Sequence, residues 1–207
     1  VRNLKCIDPS EEIDIAKTNL KKNPNCEIYK ASVDNMPIDN NSMDFGYSLG
    51  VLHHVPNTQA AIIDCVKKLK SGAPFLLYLY YAFDNRPIWY RKLWQLSELL
   101  RYLISRLPKN LRYIASQIIA GFIYFPLARG AKLLKTLGIN SKNMPLYAYR
   151  DSSFYTMRTD ALDRFGTRLE QRFSKTMILD MMEKAGLENI KFSKNIPFWC
   201  AVGTRKY

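Results

Sequence analysis

Acidic residues almost vanish from the middle of this chain of 207 residues. Between Arg86 and Arg150 twelve Lys and Arg stand against a single acid, Glu98, which leaves that segment at +11. The whole chain carries +13, so nearly all of its excess sits there. Such a block implies an anionic partner: a membrane surface, a nucleic acid or a phosphorylated substrate. Cysteine is sparse as well. Cys6, Cys26, Cys65 and Cys200 lie far apart with no C-x-x-C pair, which argues against a zinc knuckle or a disulfide framework and for reduced thiols in the cytoplasm. The only histidines are His53 and His54. Neighbouring residues do not share a helix face, and no carboxylate or Cys lies at ligand spacing, so no metal site is expected. The apolar run at 118–128 falls short of the roughly 20 residues that a bilayer-spanning helix needs.

What is present reads as alternating strands and helices. Residues 4–7 form a short apolar strand ending at Asp8. Asp8-Pro9-Ser10-Glu11 has the signs of a helix start, with a capping Asp, Pro in the first turn and an acid completing a capping box. Ile13, Ala16 and Leu20 then supply an apolar stripe. Strands follow at 27–31 and 44–49, a helix at 58–69, and the continuous apolar run APFLLYLYY at 73–81, as expected of a strand buried on both faces. After a long helical region the pattern resumes with a helix at 175–185 and closing strands at 189–193 and 198–204. This order predicts an α/β fold.

The most telling stretch is ASVDNMPIDNNSMDFGYSLGVLHHVPN, residues 31–57. It reads as a strand end, a turn-rich loop, a strand, and a Gly-containing polar switch into a helix. In open parallel sheets, ligands bind beside the carboxyl ends of strands. The Leu49-Gly50-Val51-Leu52-His53-His54 segment, with the order of elements around it, resembles the class I S-adenosylmethionine-dependent methyltransferases of the type 11, small-molecule group. Phe173-Ser174 before a helix and the terminal Trp199-Cys200-Ala201-Val202-Gly203 are similar to that family's C-terminal end. The resemblance implies a three-layer Rossmann-like sandwich and S-adenosyl-L-methionine as cofactor. One family motif is absent. The first strand and its D-x-G-x-G turn have no counterpart, and in the family's sheet that strand is central. The reading is therefore a fragment lacking its first strand, whose loss leaves two strand edges unpaired.

By the same resemblance, Asp8 takes the position of the acid that binds the ribose hydroxyls. Ser32, Val33 and Asp34 lie on the adenine side: the Val33 N–H serves the ring, and Ser32 stands where many relatives carry Asp. Leu49, Gly50, Val51 and His54 belong to the methionine end. From the residues alone, Asp8 also suits a helix cap, and Asp34 with Asn35 suits a turn. His53 and His54 are the candidates for a general base, since imidazole titrates near neutral pH. Packing around the cofactor is the alternative. No catalytic residue is otherwise identified.

Three segments are expected: a partial core at 1–85, a basic helical insertion at 86–150 and the rest of the core at 151–207. In the insertion Trp89, Leu93, Leu96, Leu100, Leu103 and Leu107 recur at helical spacing. Pro108 ends that stripe, and a second runs from Ile114 to Pro126. Aromatics beside Lys and Arg fit an interfacial helix on an anionic membrane; a solvated helical cap fits equally. Tyr147, Tyr149 and Tyr155 suit an acceptor pocket or plain packing. The expected acceptor is a small molecule or a lipid-linked one, and the expected location is cytoplasmic or peripheral at a membrane. An RNA substrate is suggested by charge alone, with no catalytic tetrapeptide such as NPPY. A non-catalytic membrane-associated module is the remaining alternative.

Overall fold

A computed structural model describes residues 2–195 and 198–207. The chain gathers into two compact units, one made of Val1–Ala82 with Gln171–Tyr207 and the other of Phe83–Glu170. Residues 151–170, read from sequence as a return to the core, thus belong to the helical unit. They form a helix whose buried face, Met157, Ala161 and Phe165, packs with Ile119, Ala120, Tyr124 and Ala128.

The first unit is α/β. β1 (Leu4–Asp8) pairs in parallel with β2 (Cys26–Lys30), and α1 (Ile13–Leu20) lies between them in sequence. β3 (Gly46–Leu49), α2 (Thr58–Lys68) and β4 (Pro74–Tyr78) form a second parallel unit. A helix, Lys175–Lys184, then leads into the last two strands, Leu187–Phe192 and Cys200–Arg205, which are antiparallel. Cys200–Arg205 also pairs antiparallel with β4, completing a four-stranded sheet whose outer member is β3. Among the described residues β1 bonds only to β2, and β3 only to β4. Both strands therefore present an open edge among the described residues.

Alternation explains the core. Phe75, Leu77 and Leu79 point inward at 2%, 0% and 0% exposure, joining Ile62, Leu69, Ile178, Met182 and Leu187. Gly46 allows β3 to approach this layer. A Cβ there would meet Leu69 at 3.0 Å and Phe75 at 3.1 Å, closer than packing tolerates without rearrangement. The helix expected at Asp8 starts five residues later, at Ile13, with no side-chain cap. Asp8 instead folds back on Ser10, accepting its N–H at 2.7 Å and its hydroxyl at 2.5 Å. This local turn satisfies the carboxylate and delays the helix.

The second unit is helical. α3 (Ile88–Ile104) is followed by α4 (Lys109–Ile119), a π-turn (Ala120–Tyr124) and α5 (Phe125–Thr136), then by α6 (Phe154–Gly166). Pro126 does not end the second stripe. Proline lacks an N–H and its ring crowds the carbonyl four residues back. Here the Phe125 N–H reaches the Ala120 carbonyl, five residues back, and that wider turn accommodates the ring. The result is one continuous helix, Lys109–Thr136, long and apolar enough to cross a membrane by length and composition. The inference drawn from the short run at 118–128 is corrected accordingly. Within this unit Tyr149 packs on Tyr124, ring centroids 5.4 Å apart, while Tyr155 is largely exposed.

Candidate functional site

The carboxyl ends of β1, β2, β3 and β4 carry the polar and aromatic groups that the core does not absorb. At the end of β1, both hydrogen bonds from Ser10 fall on one oxygen of Asp8, Oδ1. Oδ2 receives neither and remains as an acceptor. After β2, Ser32 opens a short 3-10 turn, Val33–Asn35. The Ser32 hydroxyl donates to the Asp34 carboxylate, and the Asn35 N–H to the Ser32 carbonyl at 3.1 Å. The Asp34 side chain thus supports the turn as read from sequence, whereas Asn35 contributes its backbone N–H. The side chain of Val33 packs against the core, which fixes the turn and its backbone.

β3 ends at Leu49, and the chain turns through Gly50 with φ of +72°. The Gly50 N–H donates to the Tyr78 carbonyl at 2.9 Å, and a side chain at Gly50 would face the rings of Tyr78 and Tyr80 at 3.9–4.0 Å. That left-handed conformation disfavours any residue with a Cβ. Leu49 and Val51 on either side are about half exposed. The segment Leu52–His54 then makes a single 3-10 turn. It is tied down from two directions: Thr58 Oγ1 donates to the Leu52 carbonyl at 3.0 Å, and Gln171 Nε2 to the Val55 carbonyl at 2.7 Å. The Gln171 N–H also reaches the His53 carbonyl.

The two histidines fare differently. His53 has no solvent exposure and stacks on Tyr80 at 3.8 Å, and among the described residues neither ring nitrogen has a hydrogen-bond partner. Burial, and then the charges of His54 and Arg172, push its pKa down to about 3. It is a neutral packing group. His54 stands at the edge, half-buried, its ring meeting Tyr80 edge-on. Arg172 lies over the Tyr80 ring at 5.1 Å, a cation–π contact. Tyr78, Tyr80, Gln171 and Arg172 were missed from sequence. The signal was present in Leu77-Tyr78-Leu79-Tyr80, where period-two alternation inside an apolar run marks one face that is not core. Gln171 and Arg172 carry no local signal; only the fold brings them here.

Burial raises the pKa of Cys6 and Cys200 and pushes that of Cys65 up to about 12, away from the reactive thiolate. Among the described residues no group of three His, Cys, Asp or Glu is placed to hold a metal ion.

These groups fit an adenosyl sulfonium in part. Asp8 Oδ2 is left as an acceptor, the Val33–Asn35 turn follows β2 directly, and Gly50 leaves room beside two aromatic rings. No glycine-rich turn joins β1 to β3, so the centre of such a ligand lacks its usual support in this chain.

The sequence model of a family described as "Methyltransferase domain" matches residues 1–77. No curated protein matches the chain. Solved structures do. A SAM-dependent methyltransferase from Methanosarcina mazei aligns over 99% of this chain and 82% of its own, with 14% identity and a TM-score of 0.54. An O-methyltransferase family protein from Burkholderia thailandensis aligns over 99% and 44%, with 11% identity and a TM-score of 0.54. A SAM-dependent methyltransferase from Thermotoga maritima aligns over 97% and 72%, with 14% identity and a TM-score of 0.50. The chain spans between 44% and 82% of these proteins' lengths. The identities are low, and the likeness is one of fold.

Proposed function

We propose that the protein, whose residues 1–77 match the sequence model of a methyltransferase-domain family, is a class I S-adenosylmethionine-dependent enzyme of the type 11 group that transfers a methyl group to a small-molecule or lipid-linked acceptor at oxygen, nitrogen or carbon. The observation that carries this reading is that Asp8, the Val33 turn and Gly50 each stand at the carboxyl end of a strand in one of two parallel pairs, β1–β2 and β3–β4, the kind of place where such sheets bind ligands. S-adenosylmethionine supplies the methyl group and the driving force. The chain's own task is placement and exclusion of water. Asp8 accepts from the ribose hydroxyls and the Val33 N–H meets the adenine edge. Gly50 admits the methionine end against Tyr78 and Tyr80, whose rings keep water from one side. His54, at the rim, is the group available to take a proton from an acceptor; His53 is sealed off. Asp34, Ser32, Leu49 and Val51 complete the walls. The open edges of β1 and β3 are where a Gly-rich strand would pair to support the cofactor's centre.

The test is transfer of label. Protein expressed from the full reading frame containing these residues is incubated with methyl-tritiated S-adenosylmethionine and a cell extract divided into lipid, small-molecule and RNA fractions. Label is expected in the lipid or small-molecule fraction, sensitive to Asp8→Ala. Label confined to RNA would overturn the acceptor assignment.

A further inference from the structure

α3 is inside out. Its inward face carries Trp94, Ser97, Glu98 and Arg101, and Arg101 is only 8% exposed. The Arg101 guanidinium donates to the Thr167 and Arg168 carbonyls at 2.8 and 3.1 Å and pairs with Glu98 at 3.0 Å. The opposite face holds the apolar stripe. Trp89, Leu93, Leu96, Leu100 and Leu103 are 40–57% exposed. An amphipathic helix in a globular protein normally does the reverse. The neighbouring helix buries an apolar face and exposes a second one. Leu111, Ile114 and Ile118 on the outer face of α4 are each more than half exposed, and Phe122 in the π-turn is 80% exposed. Ser116, Ala120, Ala128 and Ala131, on the inner face, are fully buried. So many exposed apolar side chains on a folded unit mark an interaction surface.

Charge identifies the occupant. Arg91 and Lys92 on α3, Arg106 in the turn after it, Lys109 on α4, and Lys132 and Lys135 on α5 are exposed. The one acid from 86 to 150, Glu98, is consumed by Arg101 and Arg164. We propose that the exposed faces of α3 and α4 seat on an anionic lipid bilayer, the leucines, Trp89 and Phe122 in the acyl boundary and the cations among the headgroups. A nucleic acid would use the cations and leave the leucines in water. Full insertion of 109–136 would put Arg112 and Gln117, bonded to the Gly166 carbonyl and to Arg158, into hydrocarbon or strip them from α6. An interfacial seat keeps those bonds. The inference is independent of the methyl-transfer reading.

The 207-residue protein is sedimented with phosphatidylcholine vesicles and with equimolar phosphatidylcholine and phosphatidylglycerol. Binding to the anionic vesicles should be at least about tenfold tighter and fall with salt. Leu96→Glu with Leu103→Glu should lower it about tenfold or more with the circular dichroism unchanged. In the unmutated protein, brominated lipid should quench a fluorescence component that disappears in Trp89→Phe. Equal sedimentation with both vesicles, or no quenching, would overturn the proposal. So would a dimer in light scattering that dissociates in the Leu→Glu variant, or RNA binding that the leucine changes leave intact while vesicle binding is absent.

Discussion

Lowering the pH from 6.5 to 4 is expected to destabilise the α/β unit through His53 alone by about 3 kcal/mol, at about 1.4 kcal/mol per pH unit. The sign follows from the pKa. In the unfolded chain the imidazole titrates near 6.5, and in the fold burial beside His54 and Arg172 pushes it down to about 3. Between those values the unfolded state binds the extra proton, so stability falls as pH falls. Above about 6.5 neither state binds it, and this contribution is flat. Carboxylates also titrate in the lower part of that window, so the informative quantity is a difference. His53→Leu removes the titrating group while keeping an apolar side chain of similar size; it forfeits the stack on Tyr80, worth about 1 kcal/mol, but leaves no unpartnered ring nitrogens in the core. Urea unfolding of the two proteins at pH 7, 6, 5 and 4 should give curves that diverge as the pH drops, with the variant becoming relatively more stable. Parallel curves would mean that His53 is hydrated or hydrogen-bonded, and the sealed site would have to be redrawn.

Glu98→Ala is expected to cost the helical unit about 3–5 kcal/mol. The Glu98 carboxylate touches Arg101 at 3.0 Å and Arg164 at 2.6 Å, and Arg164 is held in turn by Glu170 at 2.5 Å. The side chains of Arg101, Arg164 and Glu170 are 10%, 16% and 2% exposed. Removing Glu98 leaves two nearly buried cations against one acid, and the desolvation that the network offset is then uncompensated. This cluster also locks α3 onto α6 and the 167–168 carbonyls, which is what turns the leucines outward. The double-mutant cycle of Glu98→Ala with Arg164→Ala should show coupling of about 1 kcal/mol or more. A loss below about 1 kcal/mol for Glu98→Ala would mean that the cluster is solvated and that α3 is free to roll.

The α/β order, the turns after β2 and β3 and the absence of a Gly-rich turn could all be read from residues 1–81, because period and turn chemistry are local. Failures arose where a distant residue decided. Periodicity identified the stripe from Trp89 to Leu107 but not which side of it meets the protein. That choice is made by Arg101, whose carbonyl partners lie beyond residue 166. Pro126 looked like a terminator because the widened turn ahead of it leaves no mark in composition. Asp8 looked like a cap, but Ser10, two residues on, bonds its carboxylate first. Gln171 and Arg172 meet His53 and Tyr80 only through the sheet, and no spacing in the chain foretells it.

The most direct test of a cofactor site at the ends of β1, β2 and β3 is hydrogen exchange in the protein from the full reading frame, with and without S-adenosylhomocysteine. Slowed exchange is expected at residues 32–35 and 50–54, with residues 88–136 unchanged. Unaltered exchange at both of those turns, or protection confined to residues 83–170, would contradict that site.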